Sequence, residues 1–252
     1  MEKLSAVIIT FNEEKNIERC IRSLEGVADE IVVLDSFSTD RTREICENLG
    51  VRFFTHAFDG YIEQKNRAIL HASYPLILSL DADEALSDTL KNSILKVKEH
   101  RDADGYTMNR LTNYCGQWIR HCGWYPDRKL RLFDKNKGRW SGLNPHDYFK
   151  MQPGSVVKHL KGDLLHYSYY SIEQHKKQVE HFSTFAAKAK FEHGEKAFCI
   201  KTWGSPFFKF LSCFFLHLGF LEGKSGWQIC TLSSKESYLK YKKLARLYRQ
   251  RK

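Results

Sequence analysis

Short apolar runs and amphipathic stretches alternate along the first hundred residues. Residues 6–10 (AVIIT) have the length and character of a buried strand. The next polar group includes Asn12, placed to cap a helix whose first turn holds Glu13 and Glu14. Ile17, Cys20, Ile21 and Leu24 then share one helical face. Residues 30–34 form a second apolar run closing on Asp35. The capping residues Ser36 to Asp40 lead into a helix over 41–49, stopped by Gly50. A third strand is expected over 51–54, a third helix over 61–72 and a fourth strand over 76–80. An amphipathic helix over 86–98 follows, with Leu86, Leu90, Ile94 and Val97 on one side. This β-α-β-α-β-α-β order predicts an open, mostly parallel α/β sheet flanked by helices, with right-handed crossovers.

After Gly105 the pattern changes. Residues 106–110 and 129–133 read as strands, the second followed by a turn over 134–138. The segment between them is rich in aromatics and arginine (Trp118, Arg120, Trp124, Tyr125, Arg128), and from Ser171 onward the pattern is helical and basic. Three regions result: 1–104, a mixed region over 105–170, and a helical one over 171–252. Between Phe207 and Leu221 the large apolar side chains fall within an arc of roughly 160° on a helical projection, with Lys209, Ser212 and His217 opposite. That run is too short and interrupted to span a bilayer, and fits either a buried helix or one lying in a membrane interface.

Composition narrows the class. With 42% hydrophobic and 28% charged residues the chain can bury a sizeable core and is too apolar for disorder. The first residues carry no secretory-leader pattern. Seven cysteines, odd in number and without a CxxC pair, read as reduced thiols filling core positions in a cytoplasmic protein, not as a zinc site. The net charge of +10 is unevenly spread. Residues 1–100 carry 12 basic and 18 acidic groups, net −6, whereas residues 101–252 carry 28 and 12, net +16. A basic back half calls for an anionic partner: lipid, nucleic acid or a phosphorylated substrate.

The candidate chemistry sits at the strand ends. Asp81 and Asp83 leave the fourth strand together, and such a pair can hold a hard divalent cation while touching the group it carries. Alone, Asp-x-Asp is an ordinary polar loop. Here two further polar loops leave earlier strand ends, one holding Thr10, Asn12 and Glu13 and the other Asp35 to Asp40, and the topology aims all three at one crevice. Neither GxGxxG after the first strand nor GxxxxGK[ST] is present, so carboxylates replace a glycine-rich phosphate nest. That substitution points to a ligand approached through a metal, with base and ribose read by side-chain acceptors. Gln64, Lys65, Asn66 and Arg67 on the third helix could add donors for phosphate oxygens.

The segments 7–14 (VIITFNEE), 32–42 (VVLDSFSTDRT) and 80–84 (LDADE) resemble the three signature segments of the family 2 glycosyltransferases. Gly60-Tyr61, Gln64-Lys65-Asn66 and His166-Tyr167-Ser168-Tyr169 are similar to a narrower group, the lipopolysaccharide inner-core β-1,4-glucosyltransferases. The resemblance implies a GT-A nucleotide-sugar fold and transfer with inversion. The three regions are then expected to be a nucleotide-sugar half over 1–104, an acceptor half over 105–170, and over 171–252 a helical tail whose basic groups and amphipathic aromatic run suit a membrane interface. The resemblance implies Asp35 at the nucleobase, normally uracil, with the loop holding Thr10, Asn12 and Glu13 beside it and Asp40 in the same group. Asp81 would contact the ribose or donor sugar, and Asp83 would ligate Mg²⁺ or Mn²⁺ on the diphosphate. His146 and His166 are further metal or diphosphate candidates.

An inverting transfer needs a carboxylate to take the acceptor proton. Asp147 is the first candidate and Asp127 the second; each could instead be an acid paired among Arg128, Lys129 and Arg131. The expected donor is a uridine diphosphate sugar such as UDP-glucose. The expected acceptor is a lipid-linked saccharide on an anionic membrane surface, with the protein peripheral on the cytoplasmic face of the plasma membrane. Asp-x-Asp also occurs in haloacid-dehalogenase-like phosphatases, but there it follows the first strand and continues with Thr or Val. A nucleic-acid partner would explain the basic back half while leaving front-half carboxylates of the wrong charge, so none is expected.

Overall fold

The structure, a computed structural model, describes residues 1–143, 146–195 and 199–250, with the side chains of Leu143, His146, Cys199 and Ile200 outside the description. His146, read above as a metal or diphosphate candidate, therefore lies outside the described side chains. The chain divides into two units, one of residues 1–111 and 127–167, the other of 112–126 and 168–250.

In the first unit β1 (Leu4–Thr10), β2 (Glu30–Asp35), β3 (Arg52–Thr55) and β4 (Leu76–Asp81) form the parallel front of one sheet, in the order β3-β2-β1-β4. Helices α1 (Ile17–Ser23), α2 (Thr42–Asn48) and α3 (Tyr61–Leu70) make the crossovers. Leu4, Ala6 and Ile8 of β1 face one core with Ile17, Cys20 and Leu24, while Val7 joins Ala68 and Ile77 on the other side. Apolar side chains pointing both ways are why these strands read as continuous runs and not as alternations.

Beyond β4 the sheet turns antiparallel through β8 (Asp127–Asp134) and β6 (Gly105–Tyr114), and ends on β11 (Val157–Tyr169) and the short β5 (Glu84–Leu86). The hairpin of β9 (Gly138–Leu143) and β10 (His146–Met151) packs on it, with Phe149 stacked on Phe133 at 3.5 Å and Trp140 edge-on to both.

Three expectations are corrected here. The helix expected from Leu86 begins later, as α4 (Asp88–Glu99) capped by Ser87, because Glu84, Ala85 and Leu86 pair with β11 instead. Gly162 of β11 has φ +101 and approaches so closely that a Cβ would lie 2.4 Å from the Leu90 nitrogen, which fixes β11 against the start of α4. Asn12 does not cap α1; it takes φ +53 and binds the second loop.

In the second unit β7 (Gln117–Ile119) pairs with the end of β6, and three α-helices follow: α5 (Ile172–Glu192), α6 (Cys199–Leu211) and α7 (Gly223–Gln250). Ser171 and Gln174 close a capping box at the start of α5, as the change of pattern at Ser171 implied. The third correction concerns Phe207 to Leu221, which is not one helix. α6 gives way to a π turn at Ser212–Leu216 and a 3₁₀ turn at Gly219–Glu222, with Leu218 at φ +52 between them. Gly226 allows the elbow: a Cβ there would meet the Gly219 carbonyl oxygen at 1.8 Å. Cys122, Cys213 and Cys230, far apart in sequence, meet in a buried cluster with Tyr114, Ile119 and Ile229.

Candidate active site

The loops after β1, β2 and β4 meet at the carboxyl ends of the parallel strands. Short side chains stitch the first two together. The Asn12 amide donates to Ser38 Oγ (2.7 Å), its Oδ1 accepts from the Thr39 amide (2.8 Å), and the Glu13 amide donates to Thr42 Oγ1 (2.8 Å). Asp40 accepts from the Glu14 amide and from Thr42. Burial works against its charge, but these donors hold the carboxyl below its usual range.

A cleft of about 530 Å³ opens beside these loops, of a size that suits a nucleotide-sized ligand. Thr10, Glu13, Gln64, Asp81, Asp83 and His166 line it, together with Phe11, Phe58 and Tyr61. Thr10 is buried, and its hydroxyl has no hydrogen-bond partner among the described residues. Gln64, fully buried, donates to Ser36 Oγ (2.9 Å) and to the His56 carbonyl (3.1 Å).

Asp35, only 2% exposed, accepts from the amide and hydroxyl of Ser38, and its neighbour Ser36 is the residue that reaches the cleft wall. Asn66 exchanges hydrogen bonds with the Trp140 backbone, and Arg67 pairs with Asp59, so both are engaged in the scaffold.

Asp81 and Asp83 have different surroundings. Asp81 sits between two buried cations: Lys65 Nζ is 3.0 Å from Oδ1 and Arg131 Nη2 is 2.7 Å from Oδ2. Burial raises its pKa, but Arg131 and Lys65 outweigh this and keep the carboxyl ionised well below the usual range. Arg131 also binds Glu84 (2.8 Å), whose other oxygen accepts from the Asp81 amide. Asp83 meets His166 instead, Oδ2 to Nε2 at 3.2 Å. The β5–β11 register produces this contact: Glu84 pairs with His166, and the Tyr167 amide donates to the Asp83 carbonyl.

The two candidate bases also differ. Asp147 on β10 accepts from Lys65 at 2.8 Å, so one ammonium joins it to Asp81. Asp127 on β8 is held by Arg110 (2.8 Å) and Lys129 (3.0 Å); burial pushes its pKa up, but those cations pull it lower overall. Glu13 is pushed up to about 7, first by burial and then by Asp83, Asp40 and Asp81, against a hydrogen bond from Asn16. Negative charge thus accumulates at one end of the cleft, and the cations that offset it lie under Asp81, not Asp83.

The sequence offers Arg131 only as a partner for the candidate bases and Tyr61 only within a motif, and gives no sign of Trp140, whose ring lies 4.5 Å from Lys65 Nζ. Arg131 left one signal, a charged position set between Leu130 and Leu132.

The fold is a GT-A-like α/β sheet, and its site is a carboxylate-rich cleft at the carboxyl ends of parallel strands. The chain belongs to glycosyl transferase family 2, whose model matches residues 5–159, and it is a glycosyltransferase. An uncharacterized glycosyltransferase of Rickettsia typhi is 29% identical over 257 residues, covering 98% of this chain and 88% of its own. The lipopolysaccharide core biosynthesis glycosyltransferase LpsC of Rhizobium meliloti is 29% identical over 261 residues, covering 96% of this chain and 94% of its own. Among solved structures, residues 1–349 of S. aureus TarS in complex with UDP align with a TM-score of 0.45 at 16% identity, over 99% of this chain and 92% of that one.

Proposed function

We propose that the protein transfers a hexose, glucose, from a uridine diphosphate sugar to a lipid-linked glycan such as the lipopolysaccharide inner core, with inversion. It would work as a peripheral protein at the anionic cytoplasmic face of the plasma membrane. The observation that carries the donor side is the pairing of Asp83 with His166 at 3.2 Å on the cleft wall, beside an Asp81 already neutralised from below. A carboxylate and an imidazole that meet on the wall of a cleft fit a divalent ion, which would take its remaining ligands from diphosphate and water. Mg²⁺ or Mn²⁺ bound there would neutralise charge on the departing diphosphate.

The chain's own groups supply the rest. Thr10, with a buried hydroxyl that lacks a partner among the described residues, offers a hydrogen bond to the base or ribose. Asp81, fixed by Lys65 and Arg131, keeps acceptor capacity for a ribose or sugar hydroxyl. Asp147 takes the proton of the acceptor hydroxyl as that hydroxyl oxygen attacks the anomeric carbon, and Lys65 holds the carboxylate in place. LpsC, a lipopolysaccharide core enzyme by name, supports the acceptor class.

The test is a panel of uridine and guanosine diphosphate sugars scored by thermal shift with and without Mn²⁺. Stabilisation by uridine sugars alone, and only with metal, is expected. Metal-independent stabilisation by guanosine sugars would overturn the donor assignment.

A further inference from the structure

The aromatic run that reads from sequence as either core or interface is largely exposed. Trp203, Phe208 and Leu216 are 71%, 69% and 79% exposed, and Phe207, Phe215 and Trp227 are each more than half exposed. Single exposed apolar residues need no explanation, but a contiguous set of this size does. Part of the set is contiguous: Phe214, part-buried, has its ring 5.2 Å from Phe215, 6.1 Å from Phe220 and 5.7 Å from Trp227, while Phe207 and Phe208 lie ring to ring at 5.8 Å. The opposite side of α6 is occupied by α7, with Ser205 hydrogen-bonded to Ser237 (2.9 Å) and Ser234 to the Pro206 carbonyl (2.8 Å). The exposed side chains are therefore what remains after α6 has packed.

Lysines lead the charges around this surface, with Glu195 near Lys201 and the part-buried Glu236 near Lys209. Lys201, Lys209 and Lys224 are exposed within it. The one acidic residue between positions 201 and 227 is Glu222, which is buried and accepts from the Arg120 and His121 amides, the His121 ring and Gln117. A second copy of the chain, packed on this face about a two-fold axis, would bring two lysine-rich surfaces together. An anionic lipid surface takes apolar side chains and lysines together, the stems lying along the acyl boundary and the ammonium groups among the phosphates.

We infer that the elbow running from Trp203 to Trp227 is a docking surface for an anionic lipid leaflet. It deepens the lipid-linked acceptor reading and depends on that reading for its purpose, though its observations are independent of it. No single helix among the described residues is long and apolar enough to cross a membrane, and the helical pair around the elbow is bent by 73°. Taken together, Lys201–Leu216 and Gly219–Gln250 are long and apolar enough to cross, and the inference is that this bent pair enters one leaflet as a shallow wedge.

Co-sedimentation of the full chain with vesicles of phosphatidylcholine, alone or mixed with phosphatidylglycerol, tests this at low and high salt. The mixed vesicles should bind the protein, and high salt should weaken binding without abolishing it. Joint substitution Phe208→Glu and Leu216→Glu should lower partitioning about tenfold or more, with the unfolding midpoint and Mn²⁺-dependent UDP-glucose binding unchanged. Joint substitution Lys201→Glu and Lys209→Glu should remove the preference for mixed vesicles. Unaltered vesicle binding by the Phe208/Leu216 variant would overturn the inference. So would a stable dimer of the parent chain that those substitutions split, or a midpoint lowered by several degrees, which would mark the patch as core. Vesicle binding by a protein that takes no uridine nucleotide would remove the uridine-sugar donor reading and still support the surface.

Discussion

The ammonium of Lys65 lies 2.8 Å from Oδ2 of Asp147, and at 3.0 Å it also meets Asp81. Its side chain is 4% exposed and also lies over the Trp140 ring. One buried cation thus joins the donor side of the cleft to the candidate base. Removing it leaves two carboxylates facing each other with only Arg131 to offset them. Lys65→Met should therefore cost about 3 kcal/mol of stability, measured by urea denaturation, and lower transfer more than the stability loss explains.

Asp147→Asn keeps the volume and a hydrogen bond to Lys65 but cannot take a proton. Transfer should fall roughly 10²- to 10⁴-fold, while metal-dependent UDP-glucose binding stays within about twofold. Substantial residual turnover would move the base elsewhere. Asp127→Asn is the control: with Arg110 and Lys129 pulling its pKa down, Asp127 is a poor proton acceptor, and the substitution should leave turnover within an order of magnitude.

Glu13 gives the account a pH dependence. Its carboxyl titrates near 7 in the folded, metal-free protein and near 4.5 when unfolded. Between those values the folded state holds the extra proton, so this group's contribution is full below about 4.5 and is lost as pH rises to about 7. After discounting for partial exposure, the change is on the order of 1–2 kcal/mol. Glu13→Gln should flatten the pH dependence of the unfolding midpoint across that window. Divalent cations should bind more tightly as pH passes 7 in the parent chain, and less so in the variant.

Much of this site is visible in the chain because its parts are local. The strand runs at β1, β2 and β4 and the polar residues that end them are short-range patterns, and the parallel topology brings their loops together. What the sequence hides is long-range register. Nothing local ties Asp83 to His166; the β5–β11 ladder does, and it also converts the expected first turn of a helix into a strand at Glu84–Leu86. Asn12 carries a strong capping signal, yet its side chain is drawn to Thr39, a residue 27 positions away. The apolar run at 207–221 shows the same limit. A helical projection gives the face but not whether anything covers it, and the elbow at Leu218 breaks the projection itself.

In the proposed function, Asp83 and His166 hold a divalent cation for a uridine diphosphate sugar. The most direct measurement is calorimetric titration of UDP-glucose into the full chain with Mn²⁺ or with EDTA, for the parent, Asp83→Asn and His166→Ala. Binding in the parent should require Mn²⁺, fall by roughly a hundredfold or more in Asp83→Asn and by roughly tenfold in His166→Ala. Binding of equal strength in EDTA, or unchanged by Asp83→Asn, would contradict that assignment.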